Sequence, residues 1–217
     1  MTGAIETPRP TSPPPLRQRH REATRDIILR AAADSVASRG IHAFTVQEVA
    51  DRAGISHRSV YRYFPTREAL VEGLYGFAEQ MARSWASTLS PVLEGVPVLA
   101  VNPFVMFDRE PNLIRASVMA RLTTGYQPQA RIQRTKSFEA GMRRLTKNLD
   151  PDEFRRTFAL LRLLVSSNAW MVFREDFGLS GEDMTKVVSW AVGVLIEDLK
   201  RRNQAAGRKR KRGGRHG

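Results

Sequence analysis

Between residues 56 and 62 the chain places Ser56, His57, Arg58, Ser59, Tyr61 and Arg62. Their shared chemistry is hydrogen-bond donation, and a guanidinium can meet two acceptors at once through its planar fork. Nothing beside them supports covalent chemistry. The four histidines are His20, His42, His57 and His216, and none stands at the spacing of a metal site or a nucleophile–base pair. Cysteine is absent, and there is no glycine-rich phosphate loop. The expectation is a chain that is not an enzyme, with no catalytic residue, metal or cofactor, whose donors recognise something without altering it.

Those donors need a rigid mount, and the stretch "TVQEVADRAGISHRSVYRYFPTREAL" (45–70) supplies one. Val46 to Ala53 reads as a short helix with Thr45 as its N-cap, and Ser56 caps the next. Gly54 between them suits a tight turn that needs positive φ. Ala50 sits where the two helices face each other, while Val46, Val49, Ile55 and Val60 point inward. This is a helix-turn-helix, and its second helix is narrow enough for a DNA major groove.

The remaining signals are helical as well. Ile27, Ile28, Ala31, Ala32, Ser35 and Val36 follow a three-and-four spacing that stops at Gly40. Thr66 caps a helix reaching to about Leu89. Starts are marked by "NPFVMF" and "DREPNLI", and 129–149 is amphipathic. Asp150 and Pro151 open a predicted helix of about 26 residues closed by Gly178. Ser180 and Asp183 resemble a capping box for a last helix from Gly181 to about Arg202. The fold class is therefore all-α. The expected organisation is a Pro-rich disordered arm (1–15), a helix-turn-helix unit (16–73), a larger helical domain (74–206) and a basic disordered tail (207–217).

The 217 residues carry a formal net charge of +13, and the ending "RKRKRGGRHG" contributes six basic residues. Such a balance favours an anionic partner, nucleic acid ahead of a membrane surface, although a solubilising charge is the plain alternative. No apolar run approaches the roughly 20 residues that span a bilayer. The start has no signal-peptide core, and the lack of cysteine permits a cytoplasmic setting.

The run "ILRAAADSVASRGIHAFTVQEVADRAGISHRSVYRYFPTREAL" resembles the DNA-binding domain of the TetR family of bacterial repressors. The resemblance covers about residues 24–73 and implies that the helix from Ser56 to Arg62 docks in a major groove. It places His57, Arg58 and Tyr61 at base-reading positions, joined by Gln47 from the preceding helix. Thr45, Ser59, Tyr63 and Arg67 match phosphate-contacting positions, and Arg62 stands on the same exposed face. Two residues depart from the family pattern: Arg58 replaces a small residue and Arg67 replaces lysine. Arg17, Arg19 and Arg21, ahead of the first helix, suit either solvent or phosphate and minor-groove contact.

The larger domain carries two apolar stretches that go nearly all round a helix, in 158–173 and 187–196. A helix apolar on two faces needs a partner on each. The resemblance implies a homodimer through the last two long helices; a larger monomeric core is the alternative. It also implies a ligand pocket, for which Phe104, Phe107, Met119, Phe138, Met142, Asn168 and Trp170 are the candidates, each with ordinary core packing as its alternative. The polar strip "SSNAW" interrupts an apolar helix. Arg115, Arg121, Arg131 and Arg134 suit an acidic ligand or plain solvent exposure. The resulting expectation is a dimeric regulator on an inverted-repeat operator in double-stranded DNA, released by a small-molecule effector, with no membrane partner. An activator, or a DNA-binding protein without a ligand, remains the alternative. The basic tail either adds phosphate neutralisation or is a solvated end.

Overall fold

A computed structural model describes residues 15–86, 103–125 and 129–213. The chain is all-α: ten helices and no strand occur among the described residues. In chain order they are α1 (Leu16–Arg39), α2 (Val46–Ala53), α3 (His57–Tyr63), α4 (Arg67–Ala86) and α5 (Pro103–Arg109). There follow α6 (Pro111–Thr124), α7 (Gln129–Leu145), α8 (Pro151–Leu164), α9 (Ser167–Phe177) and α10 (Gly181–Gly213).

Two apolar cores organise these helices. The first is built from Ile28, Leu29, Ala32 and Val36 of α1, Val49 and Ala50 of α2, Val60 of α3 and Leu70, Leu74 and Phe77 of α4. Gly73 lets α4 settle there, because a Cβ at that position would stand 2.6 Å from the Phe64 ring. Leu113, Ala116 and Ala120 of α6 complete the same core. The second core joins Phe104, Ile114, Phe138, Met142, Phe154, Leu161 and Trp170 to the stripe Met184, Val188, Val192, Ile196 and Leu199 of α10. Alternate faces of α6 therefore serve both cores.

The helix expected from Thr66 to about Leu89 is α4, and its Leu74, Tyr75 and Phe77 belong to the first core. Two helix boundaries differ from the sequence expectation. The helix predicted from Pro151 to Gly178 is two helices. The Ser166 amide and hydroxyl donate to the Leu163 carbonyl at 3.0 and 2.7 Å, while its Oγ accepts the Ala169 amide at 3.2 Å. One serine ends α8 and caps α9. Last, α10 continues past Arg202 as helix to Gly213, through much of the predicted disordered tail. Near that end, Asn203 Oδ1 accepts the Asn148 amide at 2.8 Å and Arg202 meets Glu153 at 2.5 Å. The expected Pro-rich arm lies outside the described residues except for Pro15.

Candidate nucleic-acid interface and internal cavity

The corner is built as the residue types require. Thr45 is extended, and its Oγ1 accepts the Glu48 amide at 3.1 Å to start α2. Gly54 takes φ 65°, a left-handed conformation costly for any side chain, and the Ile55 amide donates to the Ala50 carbonyl at 3.1 Å. Ser56 Oγ accepts the Ser59 amide at 3.2 Å and donates to Ser59 Oγ at 2.9 Å, starting α3. Val60 is fully buried, so the inner face of α3 is fixed against the first core.

The outer face then follows from helix geometry. His57, Arg58, Tyr61 and Arg62 are exposed. The rings of His57 and Tyr61, one turn apart, meet edge to face at 4.8 Å. The Arg62 guanidinium lies 5.6 Å from the Tyr63 ring centre, and Tyr63 itself packs partly on the core. Gln47 is exposed on α2, with its amide donating to Asp51 Oδ1 at 2.8 Å. The hydroxyls of Thr45 and Ser59 are engaged in the two caps.

Arg67 has work inside the fold. Its guanidinium donates to the Ile41 carbonyl and lies 4.4 Å from the centre of the Phe44 ring, holding the α1–α2 loop against α4.

An open groove of about 1150 Å³ lies between the first turns of α1 and the end of α3. Arg17, Arg21 and Arg25 line it at four-residue intervals, with Arg62 and Tyr63 opposite. Arg25 was not a sequence candidate, although its spacing from Arg21 repeats that of Arg17 and Arg21. The three arginines extend the donor surface of α3 into a basic strip suited to a phosphate backbone.

The expected ligand residues do not gather around one cavity. Phe104, Met142 and Trp170 are at most 2% exposed and, with Phe138, are core packing. The Trp170 Nε1–H donates to Asp108 at 2.9 Å, and Asp108 also accepts from Arg174 and from the Gly181 amide. Met119 approaches Gly40 at the head end of α6. Asn168 accepts from Arg121 at 2.5 Å. Only Phe107 of the seven lines a part-open cavity of about 90 Å³ between α4, α5, α6, α7 and α9. Arg121, Arg131 and Arg134 line it instead, while Arg115 is paired with Glu175 at 2.6 Å. Aromatic residues fill cores because of their area, so their presence in an apolar helix marks burial and says nothing about a void.

Large apolar side chains remain uncovered on the last helices. Val187, Trp190 and Val194 form one stripe of α10 opposite its buried stripe, and Trp190 is 71% exposed. Leu160 and Leu163 on α8 are also exposed. No helix among the described residues is long and apolar enough to cross a membrane.

Comparison with known proteins adds to this geometry. The family model described as bacterial regulatory proteins, tetR family, matches residues 28–74. The HTH-type transcriptional repressor KstR2 of Mycolicibacterium smegmatis is 46% identical over 48 residues, 22% of this chain and 23% of that one. KstR2 of Rhodococcus jostii is 29% identical over 118 residues, covering 54% of this chain and 48% of that one. The chain thus spans less than half the length of each of these relatives. The crystal structure of a TetR family transcriptional regulator, PfmR from Thermus thermophilus, superposes with a TM-score of 0.55 at 16% identity, over 78% of this chain and 97% of that one. At that identity the likeness speaks for the fold.

Proposed function

We propose, from the match of residues 28–74 to the tetR family of bacterial regulatory proteins, that the chain is a member of that family and a homodimeric, sequence-specific DNA-binding regulator of transcription. In this reading it represses from an inverted-repeat operator and leaves it when a small molecule binds. The observation that carries the reading is the α2–Gly54–α3 corner, which buries Val60 and holds His57, Arg58, Tyr61 and Arg62 outward at a fixed angle. A cytoplasmic location goes with that role.

Each residue takes its part by what it can reach. Arg58 reads a guanine through O6 and N7; His57 and Tyr61 meet neighbouring base edges, with Gln47 at the margin of the groove. Thr45, Ser59, Arg62, Tyr63 and Arg67 set the register on the backbone, joined by Arg17, Arg21 and Arg25. Arg67 can give the DNA only the donors it does not spend on Ile41.

The exposed stripe Val187, Trp190 and Val194 of α10, together with the exposed Leu160 and Leu163 of α8, supports pairing of two copies through these helices. Two such heads suit half-sites about one helical turn apart. Release requires an effector that prefers the form in which the heads no longer match that spacing. The part-open cavity of about 90 Å³ is well below the roughly 300 Å³ of an ordinary ligand pocket, so it suits the end of an effector, and a regulator without a ligand is the second reading. Whether bound protein blocks or recruits the polymerase depends on the operator's place relative to the promoter.

Selection of bound duplexes from a random pool at near-physiological salt tests the proposal. The expected result is an enriched inverted repeat. Binding without enrichment, lost as salt rises, would mean a nonspecific basic protein.

A further inference from the structure

The part-open cavity is small, and its charge is unusual. Arg121 of α6 and Arg131 and Arg134 of α7 line it, and Arg162 of α8 lies close enough to act on Arg131. Among the described residues, the carboxylate acting on Arg131 is that of Glu79 on α4. Arg134 holds both Glu79 oxygens, at 2.5 and 2.8 Å. Two of the others have neutral acceptors: Arg121 donates to Asn168 at 2.5 Å and Arg162 to Thr135 at 3.3 Å. Among the described residues, three guanidiniums therefore line the cavity with one carboxylate, which Arg134 already holds, and Arg162 stands behind Arg131.

Burial, followed by the charges of Arg121, Arg162 and Arg134, pushes Arg131 below its ordinary value. Burial and then Arg134 do the same to Arg162. An arginine in a protein does not shed its proton, so this strain persists as repulsion among part-buried cations, with Arg134 at the exposed edge. Fully solvated arginines would carry no such penalty, and charges withdrawn from water are ordinarily paired. An entering anion would supply the missing charge, and the guanidinium fork matches carboxylate and phosphate oxygens in pairs. The volume holds on the order of three water-sized groups, enough for such a head group. Beside the arginines, Phe107, Ile114 and Val118 offer an apolar wall.

We propose that this arginine-lined cavity seats the head of an anionic effector, a carboxylate or a phosphate whose apolar body lies along Phe107, Ile114 and Val118. The inference rests on the effector-released regulator described above and specifies its ligand class. The cavity is also well placed to act on DNA binding. Its walls are α4 and α6, which both contribute to the first core, α4 through Leu70, Val71 and Leu74 and α6 through Leu113, Ala116 and Ala120. An anion that draws Arg134 away from Glu79 removes a tie between α4 and α7.

The test uses the full chain with butyrate, butyl phosphate and the neutral 1-butanol, at ionic strength fixed with chloride. Butyrate or butyl phosphate at tenfold excess over its dissociation constant should raise the melting temperature by about 3–6 °C. Which of the two does so identifies the head group, and 1-butanol should have no comparable effect. The same anion should weaken binding to the selected duplex. R131Q should fold, with an anion-free melting temperature no lower than that of the parent, and should lose both responses. R155Q, the same charge change on an exposed turn of α8, should keep them. An equal shift with 1-butanol, no shift with either anion, a shift retained in R131Q, or anion binding that leaves duplex affinity untouched would each overturn the proposal. Failure of these arms with duplex selection intact sinks the ligand class alone; a chain that selects no sequence sinks the regulator reading itself.

Discussion

Arg58 and Arg67 are both arginines of the helix-turn-helix unit, yet the fold uses them in opposite ways. Arg58 is exposed and has no packing role, whereas Arg67 bridges the Ile41 carbonyl and the Phe44 ring. Arg58→Ala should leave melting unchanged and relax base preference at one position per half-site, by about 1–3 kcal/mol of discrimination. Uniform weakening across all sequences would instead make Arg58 a phosphate contact. Arg67→Ala should lower stability by about 1.5–3 kcal/mol, read by denaturant unfolding, because a charged hydrogen bond is lost from a half-buried site. An unchanged midpoint would deny Arg67 its place in the fold. The exposed face of α3 was legible in the sequence, since helix geometry and a buried Val60 fix it. The bridge made by Arg67 was not, because its acceptor lies 26 residues away in a loop.

Helix starts were legible wherever a short polar side chain preceded an apolar period. Thr45, Ser56, Thr66, Asp150 and Ser180 all accept backbone amides at the positions their types predict. The break between α8 and α9 was hidden because apolar residues continue through it at helical spacing. Periodicity records which face is buried and does not register one serine that resets the chain. Ser166→Ala should cost about 1 kcal/mol, since the Ala169 amide loses its acceptor next to the buried Trp170. Thermal melting measures the loss. A melting temperature equal to the parent's would mean that the hydroxyl is dispensable and that the break is imposed by packing. The cavity was legible only in part at this scale. Arg121, Arg131 and Arg134 stood out in the sequence as suited to an acidic ligand or to solvent, but a sequence pattern does not say which helix faces meet across a gap.

For the molecule as a whole, the two faces of α10 carry the proposed assembly. One stripe is buried in the second core, and the other presents Val187, Trp190 and Val194. Trp190→Glu should leave helical content intact, convert dimer to monomer in sedimentation, and cut operator affinity at least tenfold by removing one of two linked heads. A dimer that survives the substitution would move the interface elsewhere. The two-sided apolar pattern of this helix was plain in the sequence, because hydrophobic residues on opposite faces need two partners. Its continuation to Gly213 was not, since the basic ending gives no core-facing period. Finally, α6 bears on modularity. Leu113, Ala116 and Ala120 lie in the same core as the reading helices, although they come after α4 and α5 in the chain. Cutting the chain after α4 would strip that core of a wall. A chimaera that grafts this reading head onto a foreign body must therefore carry α6 along, or rebuild its inner face on the new scaffold.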